Sequence, residues 1–187
     1  MSLESSPMLI APMLQRLRAA HDLQDILQVA LADSVALHGA ERATIQLLNT
    51  SGQLVIVHQH GLSKAFLETF RLVGMDDSTI CAMALKQQGS VFVADIEQYE
   101  GFAPFLSIAR SVPFRSVLST PLLDREEGCI GMLSVLFASR AGLTQLEFVT
   151  MNDYCREVTR SLVGLGSTSA LRRWAEQASE GTLHAAH

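Results

Sequence analysis

Arg115-Ser116-Val117-Leu118-Ser119-Thr120-Pro121-Leu122-Leu123, then Asp124-Arg125-Glu126-Glu127-Gly128, then Cys129-Ile130-Gly131-Met132-Leu133-Ser134-Val135-Leu136 form one continuous stretch near the end of the chain. Two apolar runs rich in β-formers flank a polar loop that contains glycine. That is the pattern of a β-hairpin. Two further strands precede it, Arg42 to Asn49 and Leu54 to His60, around Thr50-Ser51-Gly52-Gln53. Paired hairpins favour an antiparallel sheet, so the hairpin at 115–136 sets the fold class as α+β.

Other elements follow outward from it. Val91 to Ile96 reads as a third strand. Within 42–49, Ala43, Ile45 and Leu47 alternate with Thr44, Gln46 and Leu48, which makes one strand face more polar. Downstream, Thr144 and Glu147 form a capping box at the entry to a long helix. Phe148, Met151, Cys155, Val158 and Leu162 step along it by three and four, a narrow seam that suits packing on another helix. Leu146 and Val149 lie beside the seam as a second apolar edge. Upstream, residues 8 to 20 are apolar-rich. Asp22 then caps a helix with Asp25 at the capping-box position, its buried face carries Leu23, Ile26, Leu27, Ala30 and Leu31, and Gly39 ends it. Between the second and third strands, Ser63 caps a short helix. Asp77 or Ser78 starts another that Gly89 stops. Phe102 to Val112 reads as a helix ended by Pro113. The spacing divides the chain into a helical extension at 1–21, a domain at 22–163, and a linker or tail at 164–187 with a short amphipathic segment around Leu171 and Trp174. The stretch from Gly181 to His187 reads as poorly ordered.

Composition narrows the function classes. The chain has 187 residues, 48% of them hydrophobic, enough for one domain with a sizeable core. Its net charge is −5, and Lys and Arg form no cluster larger than Arg172-Arg173, so the electrostatic footprint of nucleic-acid binding is missing. No apolar run approaches the roughly 20 residues that span a bilayer, and no basic leader precedes the first helix. Cys81, Cys129 and Cys155 are odd in number and widely spaced, which fits neither a disulfide framework nor a zinc cluster. These features predict a cytoplasmic protein with reduced thiols and no membrane partner.

The hairpin at 115–136, taken with Ser78-Thr79-Ile80-Cys81-Ala82-Met83-Ala84-Leu85 and Val91-Phe92-Val93-Ala94-Asp95-Ile96 in this order and spacing, resembles the GAF domain, a family of small-molecule-sensing and regulatory modules. The resemblance covers about residues 22 to 162. It implies a central antiparallel sheet of about six strands, with long terminal helices on one face and short helices and loops roofing a pocket on the other. It further implies a ligand of unnamed identity, a homodimer that signals through its terminal helices, and a kinase or other signalling output domain as partner. This chain shows no output domain, so it reads as a fragment or a stand-alone partner protein. One enzyme of this fold, the free methionine-(R)-sulfoxide reductase, works with cysteines in the loop-rich region before the fourth strand. The corresponding region, Asp95 to Phe114, contains none. The expectation is therefore a non-catalytic sensor with no catalytic residue and no metal. A reductase and a dimerisation module with an empty pocket are the alternatives.

By that resemblance the roof corresponds to the helix of Ser78 to Leu85, the Asp95 turn, and the helix with Phe102 and Phe105. Met83, Phe102 and Phe105 would shape the cavity, while His58, Ser78 and Asp95 would orient a polar group. Cys81 lies in the first helical turn, where a thiol is activated. With no Lys, Arg or His nearby in sequence, it reads instead as a small buried hydrophobe. His58 and His60 lie two apart on a strand and so share a face, but they lack the third ligand zinc needs. Asp95 follows a strand, where a carboxylate caps the next turn through its own side chain.

Overall fold

The alternation along Arg42–Leu48 divides the molecule into two cores. In the computed structural model, which describes residues 5–126, 128–139 and 142–180, this strand is β1, and every residue from Ala43 to Leu48 is buried. Ala43, Ile45 and Leu47 enter one apolar cluster and Leu48 enters another on the opposite side. The remaining strands are β2 (Leu54–His60), β3 (Leu72–Val73), β4 (Val91–Val93), β5 (Ser116–Asp124) and β6 (Gly128–Phe137). They form one six-stranded sheet in the order β3-β2-β1-β6-β5-β4, with every neighbouring pair antiparallel. The class is α+β, as the paired hairpins predict.

One sheet face carries the long helices α1 (Ser5–Ala19), α2 (Leu23–His38), α6 (Gln145–Gly164) and α7 (Thr168–Glu180). Ile26, Leu27, Met151, Val158, Leu171 and Ala175 pack there against Ile45, Leu133 and Val135. The other face carries α3 (Lys64–Thr69), α4 (Ile80–Gln87), two 3-10 turns at Ile96–Gln98 and Glu100–Phe105, and α5 (Leu106–Ser111). Among the described residues, no helix is long and apolar enough to cross a membrane.

Local chemistry sets most boundaries. Asp22 accepts the Asp25 N–H at 2.9 Å and Gly39 turns left-handed at φ +57°, so α2 begins and ends where the sequence predicts. The Asp25 carboxylate takes the N–H of His21 at 3.3 Å. The capping box at Thr144 and Glu147 forms in full, and Ser63 caps α3.

Several expectations are corrected. Helix α4 is capped by Thr79, whose hydroxyl accepts the Ala82 N–H, and not by Asp77 or Ser78. It is closed by Gln88 at φ +49° and not by Gly89. A left-handed non-glycine costs on the order of 1 kcal/mol, and the Gln88 amide offsets this by donating to Leu85 O at 2.7 Å. The strand expected at 91–96 stops at Val93, because Asp95 caps a 3-10 turn. The helix expected from Phe102 splits into a 3-10 turn containing Pro104 and the short α5. Strand β3 is two residues long and leaves no sequence period. The seam of α6 is consumed inside the chain: Met151, Cys155, Val158 and Leu162 are all buried in the helix-side core, and Phe148 packs against it. Leu146 stays exposed on the neighbouring edge. The tail from Gly181 lies outside the described residues.

One polar tie crosses the helical layer. Asp33 of α2 is only 2% exposed. It accepts from Arg16 of α1 (Nε to Oδ1, 3.0 Å, with Nη2 on the same oxygen) and from the Tyr154 hydroxyl of α6 (to Oδ2, 2.7 Å). A buried carboxylate persists only when its lone pairs are satisfied, so three helices are fixed by one side chain. Burial and the facing Asp33 carboxylate hold the Tyr154 hydroxyl well above its ordinary value of 10.0. A group raised in the folded state stabilises fully below its unfolded value and loses that contribution as pH climbs. Replacing Tyr154→Phe removes a hydrogen bond to a charged group and is expected to cost about 2 kcal/mol at neutral pH. In urea titrations that difference from wild type should narrow above pH 10, since only the wild type gains an ionisable phenol on unfolding. A gap that stays constant with pH would contradict this assignment.

Candidate functional site

Three strands lay a polar row across an otherwise apolar floor. Thr44 of β1 pairs with Ser134 of β6, and Ser134 with Ser119 of β5, so the three side chains share the face opposite the long helices. Gln46 stands two residues along β1 on the same side. Helix α4 lies over this row. Its Cys81 Sγ is 3.4 Å from Ser134 Oγ and 3.6 Å from Ser119 Oγ, and the two serine hydroxyls are 2.8 Å apart. The thiol thus closes a triangle of hydrogen bonds between roof and sheet.

Cys81 is half-buried by exposed area, with one side bordering a cavity, yet the surrounding atoms desolvate it. Burial pushes its thiol up, and the serine hydrogen bonds only partly counter that. Burial likewise raises Cys129 to about 11 and pushes Cys155 upward. All three cysteines are free and neutral at physiological pH, the protonation state of an unreactive thiol.

The cavity has a volume of about 40 Å³ and lies between this row and the roof. Thr44, Gln46, Thr79, Cys81 and Ser134 supply its polar lining. Phe66, Phe70, Phe102 and Phe114 supply its aromatic wall, with Ile56, Val73, Val117 and Leu136 completing it. The rings pack on one another, with centroids 4.6 Å apart for Phe66 and Phe70 and 5.8 Å for Phe102 and Phe114. Gln46 is 2% exposed, and its buried Oε1 accepts no hydrogen bond. Buried polar atoms are nearly always paired, so this acceptor marks the cavity as chemically unfinished. None of the lining side chains carries a charge. Among the described residues, no group of three or more His, Cys, Asp or Glu could hold a metal ion.

Of the candidates from the sequence, the fold brings Cys81 and Phe102 into the cavity lining. Phe105 stands behind it, 5.5 Å from Phe102 and 5.1 Å from Phe70 between ring centroids. Met83 packs half-buried in the same cluster. The other three lie elsewhere. Ser78 is exposed one residue outside the helix cap, and Thr79 takes the lining position. Asp95 caps its turn through the Glu97 N–H and pairs with Arg115 through two bonds, Nε to Oδ1 at 3.0 Å and Nη2 to Oδ2 at 3.2 Å. His58 is turned away by a β-bulge. The register shifts between Ile45 and Gln46, so Ile45 pairs with His58 while Gln46 pairs with Ile56. Val57 is the extra residue, and His58 lands on the helix-facing side with Ile45. Burial lowers its imidazole pKa. Gln46, Thr44, Ser134 and Phe114 were missed as site residues; the polar face of β1 was the one signal for the first two.

A larger open trough of about 850 Å³ runs between the outer side of α6 and the tip of the β5–β6 hairpin. Its Arg156 and Arg160 pair with Asp153 and Glu157 one turn earlier on the same helix.

The geometry has counterparts among known proteins. A family model described as GAF domain matches residues 20–158. No curated protein matches the chain in sequence. Solved structures resemble it at low identity. The GAF domain from an Acinetobacter phosphoenolpyruvate-protein phosphotransferase is 13% identical, with a TM-score of 0.71 over 88% of this chain and 96% of that one. A domain of a Sinorhizobium meliloti protein described as a two-component sensor histidine kinase is 15% identical, with a TM-score of 0.64 over 87% and 99%. The free methionine-R-sulfoxide reductase from Neisseria meningitidis is 17% identical, with a TM-score of 0.65 over 94% and 96%. At such identities these likenesses establish the fold alone.

The unpaired Gln46 Oε1 gives a direct test of the cavity. Replacing Gln46→Leu swaps an unsatisfied polar group for an apolar one of similar length. In ligand-free protein it is expected to raise stability by about 1 kcal/mol, read as a higher urea midpoint at unchanged slope. A loss of stability would mean that the amide is already satisfied.

Proposed function

Since the chain belongs to the GAF domain family, we propose that it is a non-catalytic sensory or regulatory module that binds a small molecule in the cavity between roof and sheet. The observation that carries this reading is the buried, unpartnered Oε1 of Gln46, a residue that lines an apolar cavity together with Thr44, Thr79 and Ser134. An apolar pocket with a few convergent polar groups is the ordinary form of a ligand site. The roof above it consists of short helices and 3-10 turns, which open at lower cost than the long helices opposite. The neutral, desolvated Cys81 thiol supports a sensor over a thiol-dependent reductase.

In this proposal the signal leaves through the terminal helices of a homodimer, toward a kinase or other signalling output domain, in the cytoplasm. The α6 seam is occupied within the chain, so the dimer would rest on the edge with exposed Leu146 and half-buried Val149. A second reading, a dimerisation module whose pocket is filled by its own side chains, is favoured by the small volume of about 40 Å³.

Native mass spectrometry of freshly purified protein separates these readings. The sensor reading is expected to give a dimer whose mass exceeds two chains by a bound molecule that denaturation releases. A bare dimer supports the filled module. A bare monomer at tens of micromolar chain, a concentration at which a stable dimer is populated, contradicts both.

A further inference from the structure

The chemistry of the cavity wall restricts what it can hold. Building on the proposed ligand pocket, we infer that its occupant is an uncharged ring compound, apolar over most of its surface, that offers one O–H or N–H to Gln46. Three observations converge on this class.

First, the lining carries no charge. Arg115 on the roof side is bound by two hydrogen bonds to Asp95 and a third contact at 3.1 Å to Glu97, and Arg42, two residues before Thr44 on the same face of β1, is not part of the lining. His58 lies on the other sheet face, across from Ile45. A carboxylate or phosphate held by these lining groups would lose its water without a charged partner among them, which is costly in an apolar surrounding. Second, the wall is aromatic. Phe70, Phe102 and Phe114 are already arranged in stacked and edge-on pairs, with Phe70 and Phe102 at 6.2 Å between centroids and 17° between planes and Phe102 and Phe114 at 78°. A ring extends that packing with either its face or its edge. Third, the polar groups divide unequally. The Thr79 hydroxyl accepts the Ala82 N–H, while Ser119, Ser134 and Cys81 bond one another. The Gln46 Oε1 remains as an acceptor without a donor. A site whose buried acceptor is unpaired discriminates strongly for ligands that supply the missing donor.

The resting volume of about 40 Å³ is too small for a ring. A cavity of about 150 Å³ accommodates a benzene ring, so a ring enters with displacement of the roof aromatics.

Phenol, toluene and benzoate test each part at nearly constant size. The readout is the methyl NMR spectrum of Ile56, Val73 and Leu136, all cavity-lining residues, during titration of the full chain. Phenol is expected to shift these methyls saturably. Toluene should bind at least about tenfold more weakly although it is the more apolar, and benzoate should leave them unmoved over the same concentrations. In Gln46→Leu the preference for phenol over toluene is expected to vanish. Benzoate matching phenol would overturn the ligand class and leave the pocket standing. A preference for phenol that survives Gln46→Leu would overturn the role of Gln46. No shift with any of the three compounds would overturn both the class and the pocket. The comparison of the three compounds on the unmodified chain decides the class even if the variant does not fold.

Discussion

The fold depends on β6 being paired on both sides and buried on both faces. All residues from Cys129 to Phe137 are buried, with β1 on one flank and β5 on the other. A strand in that position forces two separate cores, since its alternating side chains leave the sheet in opposite directions. Gly131 makes the pairing with β1 possible: a Cβ there would lie 2.4 Å from the carbonyl oxygen of Gln46. Glycine in a strand interior is costly unless a backbone must come close, and here the backbone that comes close is the one bearing Gln46. The same approach that joins β1 to β6 holds Gln46 over the cavity.

The two cores then differ in how they are closed. On the helix side, long elements are tied by Asp33 to Arg16 and Tyr154, and by Glu176 of α7, which accepts the Thr50 N–H from the β1–β2 turn at 3.1 Å. On the roof side, the elements are eight residues or shorter. The bonds from α4 to the sheet are the weak thiol–hydroxyl contacts of Cys81. Phe66, Phe70, Phe102 and Phe114 line the space between with rings packed on one another. A closed, cross-braced side and a lightly fastened side follow from helix length and from where polar side chains fall.

Much of the fold was legible because it rests on local rules. The hairpin at 115–136, the Asp22 and Thr144 caps and the α6 seam all express a period or a cap that acts within a few residues. The site was less legible because two bulges reset side-chain parity. One extra residue at Val57 moves His58 off the cavity face. A second register shift, opposite Leu122 and Leu123, leaves Ile130 as the extra residue and sends Cys129 to the roof core. A bulge reverses every later side chain of a strand, and no residue type in these strands announces it. Thr44 and Gln46 were visible as the polar face of β1, but their partnership with Cys81 and Phe102 comes from long-range pairing. The break of 102–112 into a 3-10 turn and α5 was hidden for a different reason: its apolar spacing suits a continuous helix, while Pro104, which has no N–H to donate, sits inside the 3-10 turn.

The central claim is that roof and helical layer open independently, with the roof the weaker. Native-state hydrogen exchange measures this directly. Amides of α4 (Ile80–Gln87) and α5 (Leu106–Ser111) are expected to exchange through local openings at low denaturant. Those of β1, β6 and α6 should exchange only with global unfolding. Equal protection in α4 and α6, with both following the global unfolding free energy, would contradict the account.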